Sequence, residues 1–296
     1  MARRLLGGVL LILALALSIA FAIRSASSVG FPASPAGARG NPLLFDSAFW
    51  LVWAAPFAAL LAAGLTRRKD SAIEGDRVLR HDDTAILQHW GHGVATVILL
   101  ITGFALGSVG LPRFVSGMQP AAVALNVHFV GVILFVFATV YYAANTYFSG
   151  RLREHLPANV GEAFQGVIAH YRAVLGGGKF PREGKYFASE HLTYPLAVGA
   201  SAVVLVTGLV KVLAHSANLP SGLMLVVRYG HDVAAILLGV FLVAHAIAGA
   251  LVPWSWPLLG SMFTGYVSAD YAKHHHQAWY EDLGGVESDD EKRKTA

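Results

Sequence analysis

Apolar residues in this chain gather into six long runs, at about Leu5–Ile23, Leu43–Leu65, Trp90–Val109, Ala121–Phe148, Leu192–Ala214 and Leu223–Val252. Each approaches or exceeds the roughly 20 apolar residues that an α-helix needs to cross a bilayer. A helix also satisfies every backbone donor and acceptor within one such segment. The pattern therefore predicts an all-α, polytopic membrane protein, with a four-helix bundle from runs three to six and two additional N-terminal transmembrane helices. Glycines recur inside the runs, where they permit close approach of a neighbouring helix or a planar ligand. The first run follows Arg3 and Arg4 and ends among small residues, as a secretory leader does. It is longer than a leader's apolar core of roughly 7–15 residues, so it is read as a retained helix.

The polar stretches divide the chain into an N-terminal hairpin (1–66), a four-helix domain (67–256) and a tail (257–296). Arg67–His81 reads as a charged linker. The connection Ser149–Glu190 carries a surface helix, EAFQGVIAHYRAVL, closed by three glycines. The tail is polar and aromatic, and its acidic-then-basic end is expected to be disordered. There is no internal repeat of fixed period.

Composition sharpens the membrane reading. Only 14% of residues are charged and the mean hydropathy is +0.54. With the N-terminus inside, most basic residues fall on the cytoplasmic side, including Arg67-Arg68-Lys69, the six between Arg151 and Lys185, and Lys292-Arg293-Lys294. That asymmetry places both termini in the cytoplasm of a cell with the chain in its inner membrane. It also makes the basic pI of about 9.3 a record of topology and lipid contact, not of nucleic-acid binding. The chain has no cysteine, which excludes disulfides, cysteine-held iron–sulfur clusters and thioether-attached haem.

Histidines carry the candidate chemistry. His231 and His245 stand fourteen residues apart in one apolar run. Fourteen steps of about 100° fall about 40° short of four turns, so both leave one face, roughly 21 Å apart along the axis. An imidazole in hydrocarbon is costly unless paired or ligated. Depth along the helices matches His128 with His231 on the outer side and His89 with His245 on the inner side, the geometry of two haems ligated by histidine pairs. His92, one turn from His89, competes with it as ligand. Any one membrane histidine also has a plainer use, in a proton path or a helix–helix hydrogen bond. His81, His155 and His170 fall in cytoplasmic segments, where solvated histidines are expected. In His274-His275-His276 successive side chains diverge, which argues against a metal site.

At these residues the chain resembles the di-haem cytochrome b superfamily, over about Arg80–Leu283. The likeness is greatest to the gamma (cytochrome b) subunit of membrane-bound formate dehydrogenase, with nickel-hydrogenase and thiosulfate-reductase cytochrome b subunits as relatives. It rests on QHW at the start of helix three, NVHFVGVILF in helix four, the thirteen-residue gap between His231 and His245, and the tail MFTGYVSADYAKHHHQAWYEDL. The resemblance implies two haem b groups with His89, His128, His231 and His245 as axial iron ligands. It also implies a quinone site, for menaquinone or ubiquinone, near the start of helix five. The family segment there reads approximately GKYNAGQK; this chain has GKYFASEH, with Phe187 in place of the polar asparagine. Glu190 and His191 titrate at the water boundary and are the candidate proton donors to quinone, or else the cap of helix five. Arg228, one turn before His231, is a candidate haem-propionate partner or an interfacial anchor.

The function so implied is that of a membrane-anchoring electron-transfer subunit. It would link an iron–sulfur or catalytic subunit of a dehydrogenase, hydrogenase or reductase to the quinone pool. The partner is expected on the connection 149–190 and the tail Gly265–Ala296. Two alternatives are a self-contained transmembrane haem oxidoreductase and a haem-free transporter or anchor.

Overall fold

The computed structural model describes residues 9, 12–13, 15–20, 22–24, 43–157, 159–214 and 217–285. Among the described residues, four helices are long and apolar enough to cross a membrane: α3 (Asp83–Leu106), α4 (Met118–Phe148), α7 (Ala188–Leu213) and α8 (Ser221–Ala250). At 24 to 31 residues and about 1.5 Å per residue, each exceeds the roughly 30 Å hydrocarbon thickness. Of the first expected span, residues 9, 12–13, 15–20 and 22–23 are described and are helical. The second differs from expectation, because it is split. A short α1 (Leu44–Ser47) precedes α2 (Trp50–Leu65), and the chain leaves helical geometry at Ala48, where φ is −126°.

Contacts divide the chain into two compact units. The first comprises Met1–Leu65, Gln88–Ala144 and Ala200–Gly239. Its centre takes Ala95, Phe135, Val204 with Ala234 and Leu238, so all four long helices contribute a buried side chain. Small residues set the spacing. A Cβ on Gly131 would lie 3.0 Å from Ile98 and Leu99, tighter than packed atoms accept. On α2 the buried stripe Val52, Ala55, Ala59, Ala63 follows helical periodicity, and Ala59 and Ala63 pack on Tyr141 and Ala144. Asn126 fastens the N-terminal segments to α4. Fully buried, its Oδ1 accepts Leu44 N–H at 2.9 Å and its Nδ2 donates to the Ala22 carbonyl at 3.4 Å.

The second unit comprises Thr66–Leu87, Asn145–Gly199 and Val240–Ala296, and here the structure corrects the sequence reading. The expected linker 67–81 is a hairpin, β1 (Ile73–Glu74) and β2 (Arg77–Leu79), turning at Gly75 with φ +66°. After α5 (Leu152–His155) comes the expected surface helix, α6 (Val160–Val174). The Asn159 side chain caps α6 by accepting Gly161 and Glu162 N–H. Beyond α8 the tail is folded as α9 (Trp256–Thr264), β3 (Tyr266–Ser268), α10 (Ala269–His275) and α11 (Gln277–Asp282). Strand β3 joins the hairpin antiparallel, with Val78 opposite Val267. These strands are two or three residues long, too short for periodicity to announce them. They persist because Val78, Val267, Tyr271, Ala272 and Trp279 share one buried cluster. The acidic-then-basic end lies outside the described residues.

His81, His155 and His170, expected to be solvated, are buried instead at 5%, 9% and 8% exposure. Each has aromatic or polar cover, from distant chain for His155 and His170 and from the neighbouring residue for His81. His155 stacks on Tyr194 at 4.9 Å, His170 meets Phe187 edge-on at 4.8 Å, and His81 Nε2 accepts from Arg80 Nε at 3.2 Å.

Candidate functional site

In the first unit one cavity opens among α3, α4, α7 and α8, lined mostly by Leu, Val and Phe side chains. His128 from α4 and His231 from α8 both line it. Each ring is held at Nδ1 by a threonine on the preceding helix: Thr102 Oγ1 lies 2.8 Å from His128 Nδ1, and Thr207 Oγ1 lies 3.0 Å from His231 Nδ1. A glycine follows each threonine. Cβ atoms added at Gly103 and Gly208 would meet the Cε1 atoms of His128 and His231 at 3.6 and 3.4 Å. The two glycines thus leave space open beside the ring edges within the cavity.

Two opposite charges also line the cavity, Lys211 near the end of α7 and Asp232 beside His231. Asp232 Oδ2 accepts the Val109 N–H at 3.1 Å, which ties α8 to the turn after α3. Arg228 is exposed and is not among the lining residues. Lys211, which the sequence reading did not single out, is the cation that lines the cavity. Its signal was a lone cation in the last turn of an apolar helix. The Thr-Gly pairs at 102–103 and 207–208 were also legible, as a dipeptide recurring on the helix before each histidine.

The other expected ligands stand apart from this cavity's lining. His89 sits on α3, edge-on to Trp90 at 5.3 Å. His92, one turn on, packs against Phe135 at 4.7 Å. His245 belongs to the second unit, is exposed, and stacks on Phe241 at 5.6 Å with the rings 16° apart.

In the second unit one candidate proton donor, Glu190, faces a buried arginine. Arg80, 3% exposed, reaches Glu190 Oε2 at 3.6 Å through Nη2 and His276 Nε2 at 3.2 Å through Nη1. Its guanidinium lies over the Tyr186 and Trp279 rings, 5.5 and 5.6 Å from their centroids. His276 Nδ1 lies 2.7 Å from the Gly184 carbonyl, so that nitrogen carries the proton and Nε2 accepts from Arg80. Burial, then the Arg80 charge, push the His276 pKa down to about 2, which keeps the ring neutral. Glu190 Oε2 accepts Phe187 N–H at 2.7 Å, the return bond of a capping box at the start of α7. His191 lies against Tyr186 at 6.2 Å, with no hydrogen bond to its buried Nδ1 among the described residues. Nearby, Glu183 Oε2 accepts Ala188 N–H at 3.1 Å, and Oε1 lies 3.9 Å from His170 Nδ1. Burial pushes the Glu183 pKa up to about 7, against the lowering effect of the Ala188 bond and with a small upward push from Glu190. The three tail histidines do diverge: His274 is exposed, its Nδ1 on the Asp270 carbonyl, His275 meets Tyr271 and Phe180, and His276 is fully buried.

The residues of the first cavity fit a haem. Two imidazoles from different helices, apolar walls, glycines beside both rings and one cation match an apolar macrocycle with an axially ligated iron and anionic propionates. A family model described as prokaryotic cytochrome b561 matches residues 80–265, well over half of the 296-residue chain. The comparison with curated proteins gave no match. The match takes in all four long, apolar helices and every histidine expected to bind iron. The chain accordingly belongs to the prokaryotic cytochrome b561 family and is a multi-pass membrane protein that carries electrons on haem b.

Proposed function

We propose that His128 and His231 are the axial ligands of one haem b in the first-unit cavity. The single observation that carries this reading is their convergence on one apolar cavity, each with Nδ1 already engaged by a threonine. Bound there, haem b would supply one-electron chemistry, with the His128 and His231 imidazoles holding it. Lys211 supplies the cation for a propionate, with Arg228 near the membrane surface as a second anchor. A second haem, at His89 and His245, rests on their depths along the sequence and on the resemblance to formate dehydrogenase gamma subunits.

Electrons then pass between an iron–sulfur or catalytic partner subunit and quinone. Both termini lie in the cytoplasm, following the basic residues. The quinone site falls near the start of α7. Glu190 is committed there to the helix cap and to Arg80, so proton delivery passes to His191.

A reduced-minus-oxidised spectrum of the purified chain, with haem counted per polypeptide, tests the reading. Two b-type haems are expected. His128→Ala and His231→Ala should each remove one and leave the other, and Lys211→Met should weaken retention of the same haem. Full haem content in either alanine variant overturns the ligand assignment.

A further inference from the structure

Thr102 and Thr207 occupy equivalent positions in two successive helix pairs. On α3, Thr102 is followed by Gly103 and meets His128 on α4. On α7, Thr207 is followed by Gly208 and meets His231 on α8. The sequence separations are 26 and 24 residues. In both cases the hydroxyl contacts Nδ1 and the following glycine stands against Cε1 of the same ring. Such a contact is ordinary once. The same three parts in the same order on both sides of one cavity form a matched pair of supports.

The hydroxyl proton has a place to go. Thr102 Oγ1 lies 2.7 Å from the Ile98 carbonyl, and Thr207 Oγ1 lies 2.5 Å from the Val203 carbonyl, each four residues back in its own helix. A hydroxyl has one proton to give and two lone pairs to receive with. With the proton on the carbonyl, the contact to Nδ1 is an Nδ1–H donated to threonine oxygen. That tautomer leaves Nε2 bare, as a metal ligand must be. The opposite tautomer would point an Nε2–H at a cavity walled by leucine, valine and phenylalanine, where a donor lacks a partner.

We propose that Thr102 and Thr207 are paired positioning residues, which fix both histidines facing the cavity in the Nδ1–H tautomer and tune the bound iron through the imidazoles. This rests on His128 and His231 being the ligands. An acceptor on the far ring nitrogen makes imidazole a stronger donor to the metal, which favours the ferric state. Both supports act on one haem, so their effects reinforce each other.

The test is a redox titration of the full-length chain carrying Thr102→Val, Thr207→Val and both together, beside Thr→Ser at each site. Valine keeps the shape and removes the hydroxyl acceptor, although at His231 the Val204 carbonyl remains beside the ring. The midpoint potential of the haem in this cavity is expected to rise in each valine variant and to rise further in the double variant. Low-spin electron paramagnetic resonance g-values should move with it, while serine restores both. Haem affinity should fall by roughly 10–100-fold, the usual cost of losing such a partner. Unchanged potentials and g-values in haem-loaded valine variants overturn the proposal, as does serine behaving like valine. If a valine variant does not accumulate, alanine at that site is read by the same criteria. His128→Ala and His231→Ala run in parallel. If they lose the haem while the valine variants match the parent, only this proposal fails. If they keep it, the ligand assignment fails first.

Discussion

At Glu183 a buried carboxyl links pH to the stability of the second unit. Its pKa is raised from 4.5 to about 7, so the folded state holds a proton that the unfolded chain releases earlier. The stabilisation is complete below about pH 4.5 and is lost as pH rises through about 7. Glu183→Gln keeps an acceptor for Ala188 N–H and cannot ionise. Thermal unfolding across pH should show the variant equal to the parent in acid and more stable above pH 7, by an amount on the order of a few kcal/mol. A flat difference between the two would show that the site stays hydrated. His276 and His170, both pushed down by burial, act in the opposite direction. The unfolded chain takes up their protons below about pH 6.5, so both destabilise the fold in acid. Arg80 is the other decisive residue. Arg80→Ala removes the donor to the buried Nε2 of His276 and the cation facing Glu190, and should cost roughly 1–3 kcal/mol, as leaving a buried acceptor unsatisfied does. Limited proteolysis within residues 145–199 is the check.

Among the elements, the four long helices were legible from hydropathy to within a few residues at most ends, since a bilayer leaves the backbone few other options. The exception is the start of α3, expected at Trp90 and found at Asp83, because its first turns are polar. There Asp82 Oδ1 accepts Ala85 N–H at 2.9 Å, a capping signal that a hydropathy window passes over. The break between α1 and α2 was also hidden in an unbroken apolar run. It accompanies the buried Asn126 amide, which takes the Leu44 N–H from a distance of 82 residues. Asn126→Leu leaves that N–H and the Ala22 carbonyl without side-chain partners, and should cost about 1–3 kcal/mol. Cysteine accessibility at Phe45, buried in the parent, should rise in that variant and would stay unchanged if the amide were dispensable.

For the whole molecule, the folded tail changes how partner docking must be tested. Deleting Gly265–Ala296 would strip β3 from β2 and His276 from Arg80, so lost assembly would report a damaged second unit. Truncation after residue 285 keeps every described contact of the tail. It should leave haem content intact, and recovery of the complex would then locate docking within or outside the last eleven residues. Hydropathy alone showed that this chain spans a membrane and where its four long helices run, although it predicted six spans and the second of them is split. Those are one-dimensional properties, written in hydrophobic length and in the fixed 1.5 Å rise of a helix. Folding alone reveals that Thr102 and Thr207 hold the rings facing one cavity, that Lys211 lines it, and that His81, His155, His170 and His276 are buried. Each of those facts depends on contacts between residues distant in the chain, and short strands and buried polar partners leave no period in a sequence to read.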